Sequence, residues 1–373
     1  MNGFYISVSK YEANTDIHWN SVRGKQYLIH GYVLQEPADI SNADISALDG
    51  NFAVLTQTIS SIECYTDIFN TKPIYYSVSA DVIIISSNAK ICGGFYKKIP
   101  RASKLTVCRS TLNINVETYC NYFRRLGSIT IKDIHHHIDD IISKIKVKNL
   151  GLMLSEGHDS GIICASLLKN KKHFTAISID LMPENIVLEE RHSKLHNGLI
   201  VRLSLLDRFN NIKKYSRYIP ERAPKNTSGY VNASRALEVC DNQNISHCLT
   251  GTGGDKLCAQ NLEMHMDHFF GNAKGIYPYQ SIPVSCEIHN EIQNVFNVNL
   301  IHPFLFKSMW EYFFALGSMQ GYYKQVFVEY MTKERFPYRS GDNLDTKVGF
   351  EGSDTPITSH IVNTLIAKTT RRA

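Results

Sequence analysis

Two short runs in this 373-residue chain combine hydroxyls, glycines and a carboxylate at a spacing that suits the holding of a polyphosphate. The first is Ser155-Glu156-Gly157-His158-Asp159-Ser160; the second is Leu249-Thr250-Gly251-Thr252-Gly253-Gly254-Asp255. A small-residue turn that opens a helix aims several backbone N–H groups at one anion, and the helix dipole adds to the attraction. Ser155, Ser160 and Thr250 supply hydroxyls, while Gly157, Gly251 and Gly253 let the backbone approach phosphates with no Cβ in the way. Asp159 and Asp255, if brought together, would hold Mg²⁺ bridging phosphate oxygens. Taken singly, each run is also an ordinary Ser/Gly turn; the two together in one α/β domain point to a site. His135-His136-His137 is a weaker candidate, because three consecutive residues fan around a helix and cannot share one ion.

The elements that must position these runs change character along the chain. Phe4-Val8, Tyr27-Val33, Gly50-Thr56, Ser61-Thr66, Ile74-Val78 and Val82-Ser86 are β-branched or aromatic runs separated by turn residues, which predicts a β-rich N-terminal region. From about residue 115 the pattern becomes helical: Val116-Leu126 and Ile131-Val147 carry apolar residues at helical spacing, with Ile134, Ile138, Ile141, Ile142 and Ile145 on one face. Asn149-Leu154 reads as a strand feeding the first run, Gly161-Lys169 as a helix, Phe174-Ile179 as a second strand and Ile186-Asn197 as a second helix. Strands alternating with helices predict a parallel sheet covered on both faces. The expected organisation is therefore α/β, with a β-rich domain over 1–110 and a parallel-sheet domain over 111–373.

Composition narrows the classes. A net charge of +5 with no Lys/Arg-rich run interleaved with aromatics argues against nucleic acid. The apolar runs, such as Val82-Ile85, are too short for an integral membrane segment. Nine scattered cysteines include no C-x-x-C pair and no signal peptide is evident, which predicts reduced thiols in a cytoplasmic protein.

Ser155-Ser160 resembles the S-G-G-x-D-S pyrophosphate loop of the asparagine-synthetase-like enzymes, and Thr250-Asp255 resembles their S-G-x-G-x-D loop. Leu48-Asp49-Gly50-Asn51-Phe52-Ala53 is similar to the L-D-G-x-F-A strand of their glutaminase-like domain. Asp67, Lys72-Pro73-Ile74-Tyr75-Tyr76 and Ser86-Ser87 follow its D-x-x-G-x-x-P-L-Y-Y and F-A-S-E segments. Pro303-Phe304-Leu305 resembles the P-F-L-D segment, while Lys324, Pro337, Arg339, Lys347-Val348-Gly349 and Glu351-Gly352-Ser353 are similar to the tail of β-lactam synthetases. The resemblance implies a truncated, inactive class II amidotransferase-like domain of Ntn type, followed by an ATP-pyrophosphatase domain of the adenine-nucleotide α-hydrolase fold. It implies ATP and Mg²⁺ as cofactors and an AMP-forming amide synthetase. ATP would lie on Ser155, Gly157, His158, Asp159, Ser160, Thr250, Gly251 and Gly253, with adenine beside the second strand at Ile177. Lys324 would meet the phosphates, Lys347 the adenylate, and Glu287 would match the family's catalytic Glu.

The departures carry information too. Glutamine-hydrolysing members use a Cys exposed by Met removal; position 2 here is Asn, whose amide cannot attack a glutamine carbonyl. The acceptor amine must come from elsewhere, as in the branches that close amides within one molecule: β-lactam, carbapenam and lasso-peptide macrolactam synthetases. The β-lactam branch has a basic Tyr where this chain has Thr252, and a threonine hydroxyl is no base near neutrality. A peptide α-amine needs less help, being partly free base near pH ~8. Thr252 thus favours a lasso-type peptide cyclase, with a leader-binding or protease partner as an open requirement. The alternative is a β-lactam- or carbapenam-type cyclase of a small amino-acid substrate, or another amide-forming homologue. A partner-binding scaffold stays open because Glu156 stands where the family has Gly, and a carboxylate facing phosphates would repel them.

Overall fold

A computed structural model of the chain describes residues 4–9, 13–15, 20–22, 25–35, 45–119, 123–124, 126–180, 185–215, 228–257, 281–316 and 323–338. The chain divides into two compact units. The first comprises Met1–Arg125, Met264–Asn290 and Leu305–Glu311; the second comprises Leu126–Glu263, Glu291–Phe304 and Tyr312–Ala373.

The first unit holds two antiparallel sheets. One runs β2 (Ala13–Thr15), β1 (Tyr5–Ser9), β8 (Val82–Ser86), β7 (Tyr75–Val78), β9 (Lys97–Lys98). The other runs β11 (Ile114–Thr118), β10 (Ser103–Cys108), β6 (Ser61–Thr66), β5 (Gly50–Gln57), β4 (Lys25–Val33), β3 (Asn20–Val22). Burial alternates residue by residue along β6 and β10, because successive side chains point to opposite faces. Ile6, Val8, Ile83 and Ile85 of one sheet join Leu55, Ile62, Cys64, Leu105 and Val107 of the other in a single apolar cluster, so the sheets share one core. In the Asp67–Tyr76 segment Asn70 has φ 55°, a left-handed conformation that Gly and Asn accept most easily. Asp67 organises this turn by accepting from the N–H groups of Phe52, Phe69 and Thr71.

Two sequence expectations change here. Val116-Leu126 does not begin a helix: Ile114–Thr118 is a strand paired to β10, with Leu105 opposite Val116. The β-branched residues Ile114, Val116 and Thr118 also repeat with period two, and the exposed backbone edge of β10 selects that reading. The first unit accordingly extends to Arg125 and takes in later chain, where Trp310 packs on Phe69 at 4.9 Å and Glu311 accepts from the Arg124 backbone at 2.8 Å.

The second unit is built on a five-stranded parallel sheet ordered β14 (Gly198–Arg202), β13 (Thr175–Asp180), β12 (Leu150–Met153), β15 (His247–Leu249), β16 (Asn299–Ile301). Helices α1 (Ile131–Lys144) and α2 (His158–Lys169) pack together in this unit. A Thr130–Asp133 capping box starts α1, which buries Ile134, Ile138, Ile141 and Ile142 as its periodicity predicts. The three histidines of α1 do fan apart: His135 is buried on the Val326 carbonyl, His136 is exposed, and His137 stacks on Tyr312. Helix α3 is Ile186–Ser193, four residues shorter than expected because the chain turns at Lys194. Further along are α4 (Leu205–Tyr215), α5 (Ser228–Asn242), α6 (Gly254–Leu257), α7 (Ser281–Phe296), α8 (Lys307–Leu316) and α9 (Tyr323–Lys333). Among the described residues no helix is long and apolar enough to cross a membrane.

Candidate functional site

Strand order decides where a ligand can reach this sheet. The chain fills β12, β13 and β14 in one direction and then returns to place β15 and β16 on the other side of β12. The connections therefore diverge at the β12–β15 boundary, and the crevice in an open parallel sheet lies at the carboxyl ends of such a pair. Leu152 of β12 is paired with Leu249 of β15, and each strand runs directly into one of the two Ser/Gly loops.

The first loop is tied to itself. The Ser155 N–H donates to Ser160 Oγ at 3.0 Å, the two hydroxyls are 2.9 Å apart, and the Gly157 N–H donates to Ser155 Oγ at 3.1 Å. The hydroxyls expected to face a ligand thus first fix the turn. Helix α2 begins at His158, three residues earlier than predicted, so His158, Asp159 and Ser160 form its first turn. Its N-cap is Gly157 in an extended conformation, which provides no capping side chain. The N-terminus of this 12-residue helix thus lacks a side-chain cap, and a helix N-terminus favours negative charge beside it.

The second loop lies directly against the first. A β-carbon on Gly251 would stand 2.9 Å from Asp159 Cβ and 2.9 Å from the Ser160 nitrogen. One on Gly254 would stand 2.6 Å from Asp159 Cγ. Gly253 has φ 95° and so belongs to the left-handed region. The Thr250 hydroxyl accepts from the Thr252 N–H at 3.2 Å and lies 2.6 Å from Nδ1 of buried His302, the residue after β16. The carboxylate of Asp159 is thereby packed on the residue preceding Asp255. Asp159 and Asp255 are hard oxygen donors of the kind that Mg²⁺ takes, one or two carboxylates together with phosphate oxygens. Among the described residues no group of three or more His, Cys, Asp or Glu side chains forms an all-protein metal cage.

Beneath the first loop sits a residue that sequence reasoning passed over. Arg191 of α3 is fully buried. Its Nη1 donates to the carbonyls of Ser155 and Gly157, the latter at 3.0 Å, and its Nε donates to the Pro337 carbonyl at 2.9 Å. Phe336 lies under the guanidinium, 5.4 Å from ring centroid to Cζ. Burial pulls its pKa down to about 10, opposed by its neighbours Cys164 and Glu156. Next to it, the His192 imidazole meets Ser178 Oγ at 2.7 Å, and that hydroxyl donates to the Leu154 carbonyl at the end of the first strand. The sequence signal for Arg191 was a charged Glu-Glu-Arg run, which reads as a solvated helix face. Only Glu189 and Glu190 fit that reading: Glu189 pairs with Arg202, and Glu190 lines an open cleft of about 540 Å³ with Ser193, Lys194, Arg335, Phe336, Pro337 and Tyr338.

The remaining predicted residues fall as follows. Ile177 is fully buried in β13, and its carbonyl accepts from Leu154. Glu287 belongs to the first unit, where it accepts from the Tyr75 hydroxyl at 2.7 Å and from Lys98 at 3.0 Å. Lys324 lies in α9, and Lys347 lies outside the described residues.

No protein-family model and no curated protein matches the chain. Among solved structures it has a likeness to glutamine phosphoribosylpyrophosphate amidotransferase from B. subtilis, complexed with ADP and GMP. That match has 8% identity and a TM-score of 0.26, covering 54% of this chain and 74% of the other. A second likeness is to a structure described as the allosteric regulatory enzyme of purine biosynthesis, with 7% identity, a TM-score of 0.25 and the same two coverages, 54% and 74%.

Proposed function

We propose that this chain is an ATP-dependent carbon–nitrogen ligase of the asparagine-synthetase-like type, which adenylates a carboxylate and joins it to an amine of the same molecule, closing a macrolactam in a lasso-type precursor peptide. The observation that carries the reading is the contact between the two loops at the switch point, with Asp159 packed on Gly251 and Gly254. A single Ser/Gly turn has many explanations. Two such turns, on adjacent parallel strands and touching through an aspartate, support a polyphosphate-holding reading.

In this reading the first-turn N–H groups of α2 receive the phosphates, and the side chains of Asp159 and Asp255 would hold Mg²⁺. The ion supplies charge neutralisation for the departing pyrophosphate. The substrate carboxylate oxygen bonds to the α-phosphorus as pyrophosphate leaves. The amine nitrogen then bonds to the acyl carbon, AMP leaves, and the proton shed by nitrogen passes to solvent or a base. Lys324 and Lys347 are assigned to the phosphates and the adenylate on resemblance. A fixed cation near the developing oxyanion is worth on the order of several kcal/mol in a dry site. Holding both ends of the peptide in one pocket removes much of the entropic barrier to ring closure. The domain over 1–110 is read as a glutaminase-like remnant.

ATP–pyrophosphate exchange that depends on an added peptide carboxylate tests the proposal. Asp159→Ala and Asp255→Ala should each reduce exchange by at least about 100-fold with melting temperature preserved. Absence of exchange and of AMP release with peptide and small amino-acid carboxylates alike, under Mg²⁺, would leave a partner-binding scaffold. Exchange driven only by a small β-amino acid would move the chain to the β-lactam branch.

A further inference from the structure

We infer that Arg191 is the positioning residue of the first loop, and that Glu156 is its counter-charge. The inference rests on the phosphate-holding reading of that loop. A trans peptide points its C=O and the following N–H in opposite directions, and no cis peptide bond occurs among the described residues. Arg191 Nη1 donates to the carbonyl oxygens of Ser155 and Gly157. Those two bonds turn the N–H groups of Glu156 and His158 away from the guanidinium, toward the side on which an anion would sit. The Ser160 hydroxyl also reaches both carbonyls, and the Gly161 N–H donates to that of Gly157, so Arg191 adds a charged clamp to an orientation the loop's own bonds already favour. The buried guanidinium thus preorganises N–H donors it never touches.

Space for it is made within α2. A β-carbon on Gly161 would lie 2.6 Å from Arg191 Nη2 and 2.8 Å from Met331 Sδ, so the missing side chain opens the slot. The third bond, from Nε to the Pro337 carbonyl, fastens the same guanidinium to the segment following α9. A buried cation is costly without compensation; Glu156 stands between the two residues whose carbonyls Arg191 clamps, and after Cys164 it is the neighbour that favours the charged guanidinium. The residue that breaks the family's loop pattern therefore has a local reason to be acidic: it balances Arg191.

The test uses Arg191→Lys, Arg191→Met and Glu156→Gln in the full chain, with inorganic pyrophosphate and Mg·ATP as probes. Melting without probe reports folding, and the probe-induced rise in melting temperature reports the loop. Lys keeps the charge but cannot fork two carbonyls, so Arg191→Lys should weaken pyrophosphate binding by about 10-fold and Arg191→Met by about 100-fold, the range expected for charge-assisted bonds. Glu156→Gln should tighten both probes by about 3-fold or more while lowering the melting temperature without probe. Folded Arg191 variants that bind pyrophosphate as wild type does would overturn the inference alone. If neither Arg191 variant folds, Glu156→Gln decides: unchanged affinity and unchanged melting overturn it. Wild-type protein that binds neither probe overturns the functional reading and this inference with it.

Discussion

Gly251 and Asp159 approach so closely that a methyl group on the glycine would lie 2.9 Å from the aspartate Cβ and 2.9 Å from the next backbone nitrogen. Neither neighbour is the free end of a flexible side chain, so the two loops would have to part. Gly251→Ala should therefore cost about 1–3 kcal/mol of stability and weaken Mg·ATP more than that loss explains. Thermal melts with and without the nucleotide separate the two effects. A variant with wild-type melting and wild-type affinity would show that the loops need not touch.

Much of this architecture is legible in the sequence because it is local. Six strands of the first unit, β1 and β4 to β8, are alternating or β-branched runs closed by turn residues, and the apolar stripe of α1 is a helical repeat. The two loops are visible as residue types. What escapes is whatever depends on distant partners. Arg191 in a Glu-Glu-Arg run reads as a surface cation; its burial depends on Gly161, thirty residues earlier, and on the Pro337 carbonyl, 146 residues later. His302 is tied to Thr250 across 52 residues. Trp310 joins Phe69 and Phe123 in the first unit although it sits far along the chain. Val116 was misread for a different reason, because two periods fit the same residues and only the edge of β10 chooses between them.

The Thr250–His302 pair makes its own prediction. The Thr250 hydroxyl serves the part-buried Thr252 N–H and buried His302 Nδ1 together, so Thr250→Val takes a partner from each. The expected cost is about 1–3 kcal/mol. Thr250→Ser keeps the hydroxyl and should recover most of it, both in melting and in the KM for ATP. Equal behaviour of the Val and Ser variants would count against the bridge.

Glu287 can be tested as base against structural anchor. Both its oxygens are taken up within the first unit, by Tyr75 and Lys98. Glu287→Gln should lower the melting temperature modestly, since Lys98 is 37% exposed and such pairs contribute about 1 kcal/mol or less. Exchange and amide formation should decline together. Amide formation falling alone by about 100-fold, with melting and exchange intact, would instead give Glu287 the base's role.

Acid should destabilise this protein through imidazoles that partial or full burial keeps neutral. Burial, followed by the charge of Lys72, holds His30 at about 3 and His289 at about 4, while burial and Arg202 hold His192 at about 4. An unfolded imidazole takes up its proton near pH ~6.5. Between that value and about 4 the unfolded chain binds more protons than the folded one, so stability falls as pH falls. Asp67 acts in the opposite sense. Burial lifts its pKa to about 6, so the folded state gains a proton in the same window and is favoured by acid. Lys72, lowered to about 7 by burial, titrates on the alkaline side and leaves this window alone. Burial also lowers His135, which adds to the losses, and raises Asp49, which adds to the gains; with four imidazoles against two carboxyls the melting temperature should fall from pH ~7 to pH ~4.5. His192→Gln keeps an N–H for Ser178 Oγ but cannot titrate, so it should remove part of that slope. A melting temperature flat across the range in both proteins would mean that these rings open to water and protonate without disturbing the fold.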